Sequence, residues 1–210
     1  MNDYTNDDEQ LDALKRWWSD NGRTVLTGAG VGIALVIGVN FYQQSREQQF
    51  EEASSLYEQN YTRDLTIEER KQAATLLTEQ FSNTPYSSLA GLADAKTLVN
   101  QGDLQAAEEK LAWVADHAEQ PVLRDQARLN LARVLIALDR LEDASQVISE
   151  VSASSFGASV EELKGDIAVA QNDYQQALTR YQGALTLVDK ALPGHAELIQ
   201  LKLDAVSSRR

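Results

Sequence analysis

The stretch SLAGLADAKTLVNQGDLQAAEEKLAWV, residues 88–114, is the key to the architecture because its pattern occurs three times in the chain. The later copies are DQARLNLARVLIALDRLEDASQVISEV at 125–151 and ASVEELKGDIAVAQNDYQQALTRYQGA at 158–184. Each copy has a small residue in a first helical segment, then a polar turn, and then an apolar residue three positions before an alanine. This repetition predicts stacked helical hairpins, because one hairpin cannot bury its apolar face by itself.

The spacing of the copies resembles that of the tetratricopeptide repeat, a helical hairpin with a period of about 34 residues. The aligned alanines, which are 37 and 33 residues apart, are Ala107, Ala144 and Ala177. The turns are predicted at Gly102-Asp103, Asp139-Arg140 and Asn172-Asp173. The alternative interpretation is a bundle of unrelated amphipathic helices, which the pattern does not exclude.

Small residues in the first helix of each copy predict close contact between the two helices of a hairpin. These residues are Ala95, Ala132 and Gly165. A large residue four positions after each repeat alanine is expected to fill the adjoining core. Those residues are Leu111, Ile148 and Tyr181, and we interpret them as core residues rather than site residues.

An uncharged run, TVLTGAGVGIALVIGVNFYQQS at residues 24–45, lies before the repeats. Its apolar part, residues 24–42, is close to the length of about 20 residues that one helix needs to cross a bilayer. The alternatives are a cleaved signal peptide and a buried core helix, but the apolar stretch of a signal peptide is usually about 7–15 residues long. The sequence therefore predicts a retained anchor in a lipid bilayer.

The cations beside this span predict its orientation. Lys15, Arg16 and Arg23 precede the span, whereas Arg46 follows it closely. Lysine and arginine near a span tend to stay in the cytoplasm, so we predict a single-pass protein with a cytoplasmic N-terminus and an exported C-terminal domain. The predicted divisions are an acidic tail at 1–23, the transmembrane helix at 24–42, an extended helix with a degenerate first repeat at 43–86, and repeats with a capping helix at 87–210.

Further helices are predicted on both sides of the repeats. Residues 43–61 are expected to continue as a helix with an apolar stripe that contains Phe50, Ala53, Ser54 and Tyr57. A capping box of Thr66 and Glu69 is expected to open a helix that reaches about Phe81. A brief amphipathic helix is predicted from Glu9 to Trp18, and a last helix from Ala196 to Val206. The last helix is expected to cap the third repeat.

Composition excludes several classes of function. The formal net charge of −13 repels phosphate backbones, which argues against nucleic-acid binding. There is no cysteine, which removes disulfides and thiolate metal sites. His117 and His195 lie far apart and match no motif for a metal or for a nucleophile. We therefore predict no catalytic residue, no metal and no cofactor.

The candidate binding surface is a curved inner face made mainly by the first helix of each hairpin. Counting along the repeats, the predicted groove residues are Leu92, Lys96, Val99, Leu129, Arg133, Ile136, Glu162, Asp166 and Val169. Such a groove has apolar stripes and a charge that changes from basic to acidic, and it can hold an extended or helical polypeptide segment. In the alternative arrangement, the C-terminal helix packs onto some of these side chains and closes the groove.

Gly28 and Gly32 are the candidate packing residues of the transmembrane helix. Their spacing removes side chains from one helical face, so that another membrane helix can approach closely. The neighbour can be a helix of a partner protein or of a second copy of the chain. Ordinary glycine content of a membrane helix is the alternative interpretation.

The order of these segments resembles the YfgM family of bacterial inner-membrane proteins. The resemblance is carried by the acidic tail, by LKRWWSDNGR at 14–23 before a glycine-rich span, and by NLARVLIAL at 130–138 and ELKGDIAVAQND at 162–173. It implies an ancillary subunit of the SecYEG translocon with a cytoplasmic N-terminus and a periplasmic tetratricopeptide-like domain. It also implies partnership with the membrane-anchored periplasmic chaperone PpiD, and it carries no catalytic residue.

The predicted function is therefore that of a non-enzymatic, all-α adaptor, anchored beside the Sec translocon, that helps periplasmic chaperones to receive exported polypeptides. The alternative is a structural scaffold for another complex of the cell envelope. Crosslinking in intact membranes separates these two hypotheses, and the client proteins and self-association are not specified by the sequence.

Overall fold

A computed structural model of the chain describes residues 4–61, 66–152, 156–188 and 193–208, which form helices and the turns between them. The helices are α1 (Tyr4–Tyr61), α2 (Ile67–Gln80), α3 (Pro85–Gln101), α4 (Leu104–His117), α5 (Pro121–Ala137), α6 (Leu141–Ser149), α7 (Gly157–Ala170), α8 (Tyr174–Leu187) and α9 (Pro193–Ser207). The chain divides into two compact units, Met1–Gln49 and Phe50–Arg210. The all-α prediction, with hairpins that follow one long apolar helix, is confirmed.

The first unit consists of the N-terminal part of α1. Its apolar window of 18 residues has a mean hydropathy of 1.8, and none of that window is buried, so its length and composition suit a membrane-crossing helix. The predicted brief helix from Glu9 to Trp18 is not a separate element, because α1 runs through it without a break. The first proline of the chain is Pro85, so no proline interrupts this helix.

The second unit repeats a hairpin three times, as the sequence predicts. The hairpins are α3–α4, α5–α6 and α7–α8, and their first helices begin at Pro85, Pro121 and Gly157, at intervals of 36 residues. The last helix, α9, begins a further 36 residues on, at Pro193, which is three residues earlier than predicted. Proline is well tolerated in the first helical turn, where its missing N–H has no helical acceptor.

The turns inside the hairpins lie where they are predicted. Each contains one residue with positive φ: Gly102 at 81°, Asp139 at 61° and Asn172 at 62°. Glycine and asparagine suit this left-handed conformation, which ends the first helix. In the first and third hairpins the next residue caps the second helix: the carboxylate of Asp103 accepts from the Ala106 N–H at 3.1 Å, and that of Asp173 accepts from the Gln176 N–H at 2.9 Å. In the second hairpin this position is Arg140, whose side chain makes no such hydrogen bond.

The hairpin cores contain the predicted pairs of small and large side chains. Ala95, Ala132 and Gly165 are buried, and so are Leu111, Ile148 and Tyr181. The closest approach is in the third hairpin, where the Tyr181 ring lies against the Gly165 backbone. A Cβ added at Gly165 would lie 2.6 Å from Tyr181 Cδ1, so this position has no space for a larger residue.

The helices before the hairpins share a smaller core. Ala53 of α1, Ala74 and Leu77 of α2, and Ala90 of α3 are buried in one cluster. Thr66 and Glu69 form the predicted capping box, with the Thr66 N–H donating to Glu69 Oε2 at 2.9 Å. This cluster joins the end of α1 to the first hairpin, because its side chains come from all three helices.

Removing the cap of α4 is expected to destabilise the first hairpin. Asp103→Ala leaves the Ala106 N–H without its side-chain acceptor and is expected to lower the free energy of unfolding by about 1 kcal/mol. Urea titration of the full chain in detergent, followed by Trp113 fluorescence with Trp17 and Trp18 replaced by phenylalanine, measures this change. Glu109→Ala, at an exposed position of the same helix, is the control and should change the value by less than about 0.5 kcal/mol. Equal effects of the two substitutions would contradict the capping role.

Candidate protein-binding groove

A groove of about 530 Å³ lies between the first helices of the first two hairpins, α3 and α5, with α4 at its base. Its lining residues are Leu92, Ala93, Ala95, Lys96, Val99, Leu104, Leu111, Gln126, Asn130, Arg133, Val134 and Ala137. The volume falls in the range of about 300–1,000 Å³ that is typical of specific ligand sites. We call this surface the α3–α5 groove.

The charged side chains that line the α3–α5 groove are both cations, Lys96 and Arg133. Both are exposed at the surface. Arg133 Nη1 donates to Asn130 Oδ1 at 3.1 Å, and Gln126 Nε2 donates to the same oxygen at 3.2 Å. The groove therefore combines an apolar floor with a polar and cationic rim, an arrangement that suits an amphipathic segment.

Four predicted groove residues line this space, namely Leu92, Lys96, Val99 and Arg133. Leu129 does not, because it is 1% exposed and belongs to the core between the hairpins. Ile136 is partly buried and packs against the same core. Leu129 lies three residues before the buried Ala132, on the same helical face, so the prediction that it lines an open groove is wrong.

The third hairpin has no open groove at its predicted residues, because α9 covers them. Lys202 Nζ lies 2.6 Å from both Glu162 Oε1 and Asp166 Oδ2, and His195 Nε2 lies 2.9 Å from Glu162 Oε2. Val169 packs against the core that contains Ile199 and Val206 of α9. The alternative arrangement, in which the C-terminal helix closes the groove, is therefore the one found at this hairpin. Glu162, Asp166 and Val169 are contact residues of α9.

The ion pairs between α7 and α9 determine the ionisation of Glu162. Burial by itself raises the pKa of this carboxyl, but hydrogen bonds from Lys202 and His195 outweigh the burial, so its pKa lies below the ordinary value. Tyr181 donates to Asp166 Oδ1 at 2.7 Å. Burial and the Asp166 carboxylate raise the pKa of the Tyr181 hydroxyl well above its ordinary range, so the hydroxyl remains a donor at neutral pH.

A buried carboxylate in α5 was not predicted. Asp125 is 0% exposed, pairs with Arg128 at 3.1 Å, and accepts from both the N–H (3.2 Å) and the hydroxyl of Ser152. Arg128 also donates to the Glu150 carbonyl at 2.9 Å, so the pair holds the segment that follows α6. The signal was present in the sequence, because Asp125 precedes Leu129 by four residues on the buried face of the helix.

Gly28 and Gly32, in the apolar part of α1, have no packing neighbour among the residues that the structure describes. A Cβ added at Gly28 or Gly32 would meet nothing within 4 Å. Gly32 borders a shallow apolar depression with Ile33, Val36 and Ile37. Packing of a second helix at this face therefore stays a prediction.

Comparisons with known proteins agree with this architecture. Residues 15–208 match the family described as tetratricopeptide repeat-like domain. The ancillary SecYEG translocon subunit of Aggregatibacter actinomycetemcomitans is 30% identical over 208 residues, which cover 96% of this chain and 98% of that protein. The chain belongs to the YfgM family of ancillary SecYEG translocon subunits.

Two other YfgM-family proteins are similar over most of their length. The ancillary SecYEG translocon subunit of Haemophilus influenzae is 29% identical over 182 residues, which cover 85% of this chain and 88% of that protein. That of Escherichia coli is 24% identical over 210 residues, which cover 99% of this chain and 100% of that protein. The resemblance inferred from the segment order is therefore confirmed.

The two histidines of this YfgM-family chain make local contacts. His117 stacks on Trp113 with ring centroids 4.7 Å apart, and its Nδ1 lies 2.8 Å from the Trp113 carbonyl oxygen. His195 contacts Glu162, as described above. Within the described ranges, no group of three or more histidine and carboxylate side chains is arranged to hold a metal ion.

Proposed function

We propose that the protein is a non-enzymatic adaptor of the Sec translocon that uses the α3–α5 groove to hold partner polypeptides. The observation that carries this proposal is an open, mainly apolar groove in a tetratricopeptide-like array. The names of three relatives, which are ancillary SecYEG translocon subunits, support the association with SecYEG. The partners proposed for the groove are PpiD and exported client polypeptides, with transfer of clients to periplasmic chaperones as the outcome.

The proposed location is the bacterial inner membrane, with residues 1–23 in the cytoplasm and the repeats in the periplasm. Lys15, Arg16 and Arg23 support this orientation, because cations beside a span tend to remain cytoplasmic. Anchoring near the translocon raises the local concentration of the groove, towards the millimolar range expected of a short tether. The face with Gly28 and Gly32 is proposed to contact a helix of the translocon or of PpiD, with self-association as the rival arrangement.

Photo-crosslinking in intact bacterial membranes tests the adaptor. A photoreactive residue at Val99 reports on the groove, and one at Ile33 reports on the membrane face beside Gly32. We expect crosslinks to SecY or PpiD from Ile33, and to PpiD or to a pulse-labelled exported protein from Val99. Gln105, an exposed residue of α4 outside the groove, is the matched control and should give much weaker crosslinks.

Two outcomes of this experiment would contradict the proposal. Crosslinks to other envelope proteins with none to SecY or PpiD would support the alternative function, a scaffold for a different envelope complex. Equal crosslinking from Val99 and Gln105 would show that the α3–α5 groove is not a preferred contact surface.

A further inference from the structure

We infer that the α3–α5 groove selects an amphipathic helix whose polar face is acidic. This inference rests on the proposed function and specifies the chemistry of the partner segment. Three observations support it. They are the sign of the charges in the groove, a buried donor beside the groove that has no acceptor, and the way in which α9 packs on the third hairpin.

The charges of the groove differ from those of the chain as a whole. The chain carries a net charge of −13, yet the charged residues among those lining the groove are Lys96 and Arg133, of which Arg133 also lies 3.9 Å from Glu162 of α7. Apolar side chains, including Leu92 and Val99, line the groove together with these cations. A segment that buries apolar side chains there brings its polar flanks close to two cations, so carboxylates are favoured and lysines are repelled.

A side pocket of about 340 Å³ adjoins the groove, since Ala93 and Lys96 line both spaces. Asp94, which pairs with Lys110 at 3.7 Å, lines this side pocket too. Arg70 also lines the side pocket, and its Nε is buried without a hydrogen-bond partner in the part of the chain that the structure describes. A buried donor without an acceptor is unfavourable by about 1–3 kcal/mol, so a ligand that supplies an oxygen acceptor gains affinity here. A carboxylate supplies that acceptor together with a complementary charge.

The packing of α9 on the third hairpin, where it takes the place of a further first helix, indicates which features of a helix this array accepts. Ile199 and Val206, two turns apart, are the buried anchors of α9, and Lys202 between them pairs with Glu162 and Asp166. The corresponding positions of the first two hairpins carry Lys96 and Arg133 in place of Asp166. With the charges of the array reversed, the helix that fits has an acidic residue between its two apolar anchors.

Binding of two synthetic helical peptides to the full chain in detergent micelles tests this inference. Both peptides have about 18 residues, blocked termini and the same apolar positions, but one carries glutamates and the other lysines on its polar face. Fluorescence anisotropy measures their dissociation constants for the wild type, for the double variant Lys96→Glu with Arg133→Glu, and for Lys164→Glu. Lys164 is a cation outside the groove, so its variant is the matched control.

We expect the glutamate peptide to bind the wild type at least tenfold more tightly than the lysine peptide does. In the double variant, the glutamate peptide should bind at least tenfold more weakly and the lysine peptide more tightly than in the wild type. Lys164→Glu should change either dissociation constant less than twofold. Raising the salt concentration should reduce the preference, because exposed charges are screened.

Absence of binding by the glutamate peptide, equal binding of the two peptides, or an unchanged preference in the double variant would overturn the inference. If one of these results were found together with strong crosslinks from Val99, the groove chemistry would be refuted but the adaptor function would still be supported. Conversely, preferential binding of the glutamate peptide without crosslinks to SecY, PpiD or exported proteins would support the groove chemistry and contradict the proposed function.

Discussion

Gly165→Ala is expected to lower the free energy of unfolding by about 2 kcal/mol, although alanine is the better helix former. The added Cβ would lie 2.6 Å from Cδ1 and 3.0 Å from Cζ of Tyr181, and it would be closer still to Cε1. The ring cannot easily move, because Tyr181 is 2% exposed and its hydroxyl donates to Asp166. Overpacking of this kind usually costs about 1–3 kcal/mol, which exceeds the gain in helix propensity of about 1 kcal/mol at most.

Gly183→Ala is the matched control for this substitution. Gly183 lies inside α8, and a Cβ there would have its nearest neighbour, Glu161 Oε2, at 3.9 Å. This variant is expected to be more stable than the wild type by up to about 1 kcal/mol, through helix propensity. Urea titration with Trp113 fluorescence measures both variants, and a shift of the same sign in both would refute the close-packing explanation.

A double-mutant cycle separates steric overlap from other effects of Gly165→Ala. Tyr181→Leu removes the ring, so Gly165→Ala is expected to lower the free energy of unfolding less in the Tyr181→Leu background than in the wild type. Strictly additive losses would show that the Tyr181 ring is not what excludes a Cβ at Gly165.

Lys202→Ala is expected to lower the free energy of unfolding by about 3 kcal/mol, because it leaves Glu162 without its main cation. Glu162 is 2% exposed, and in this variant its carboxylate would keep only His195 and the more distant Arg133, at 3.9 Å, as partners. Removing one partner of a buried ion pair usually costs about 3–5 kcal/mol, and the partial exposure of Lys202 places this case near the lower end.

Two comparison variants sharpen this prediction. Lys164→Ala removes a more exposed lysine from a pair with Glu161, which keeps Arg180 as a partner, and it should cost less than about 0.5 kcal/mol. Glu162→Gln combined with Lys202→Ala removes the stranded charge and should recover part of the loss. No recovery in the double variant would contradict a role for the buried charge.

The pH dependence of this loss follows from the direction of the pKa shift. Because the pKa of Glu162 lies below its ordinary value of 4.5 in the folded protein, its contribution to stability is present above that value and is lost as the pH falls below it. The difference between the wild type and Lys202→Ala is therefore expected to be largest at neutral pH and to shrink as the pH falls below 4.5. Urea titrations at pH 7, 5 and 3.5 measure this trend, and a constant difference would argue against ionised Glu162 as its cause.

Local patterns in the sequence were sufficient to predict the hairpins and their turns. Gly102, Asp139 and Asn172 lie at the ends of the first helices as expected, because a turn depends on the conformational preferences of a few adjacent residues. The contact of Gly165 with Tyr181 was also predictable, since both belong to one hairpin and their spacing repeats elsewhere in the chain. The apolar run at 24–42 predicts a membrane-crossing helix from its length and composition, without any tertiary contact.

Which residues line an open groove depended instead on contacts between distant parts of the chain. Lys202 meets Glu162 across 40 residues, and the sequence left open whether α9 would cover the third hairpin. The burial of Leu129 and Asp125 likewise depends on which neighbouring helix covers each face of α5. Amphipathic periodicity therefore determined the helices and their pairing, because it acts within one hairpin. Tertiary packing determined which concave positions stay open, because one sequence pattern is compatible with either a covered or an uncovered face.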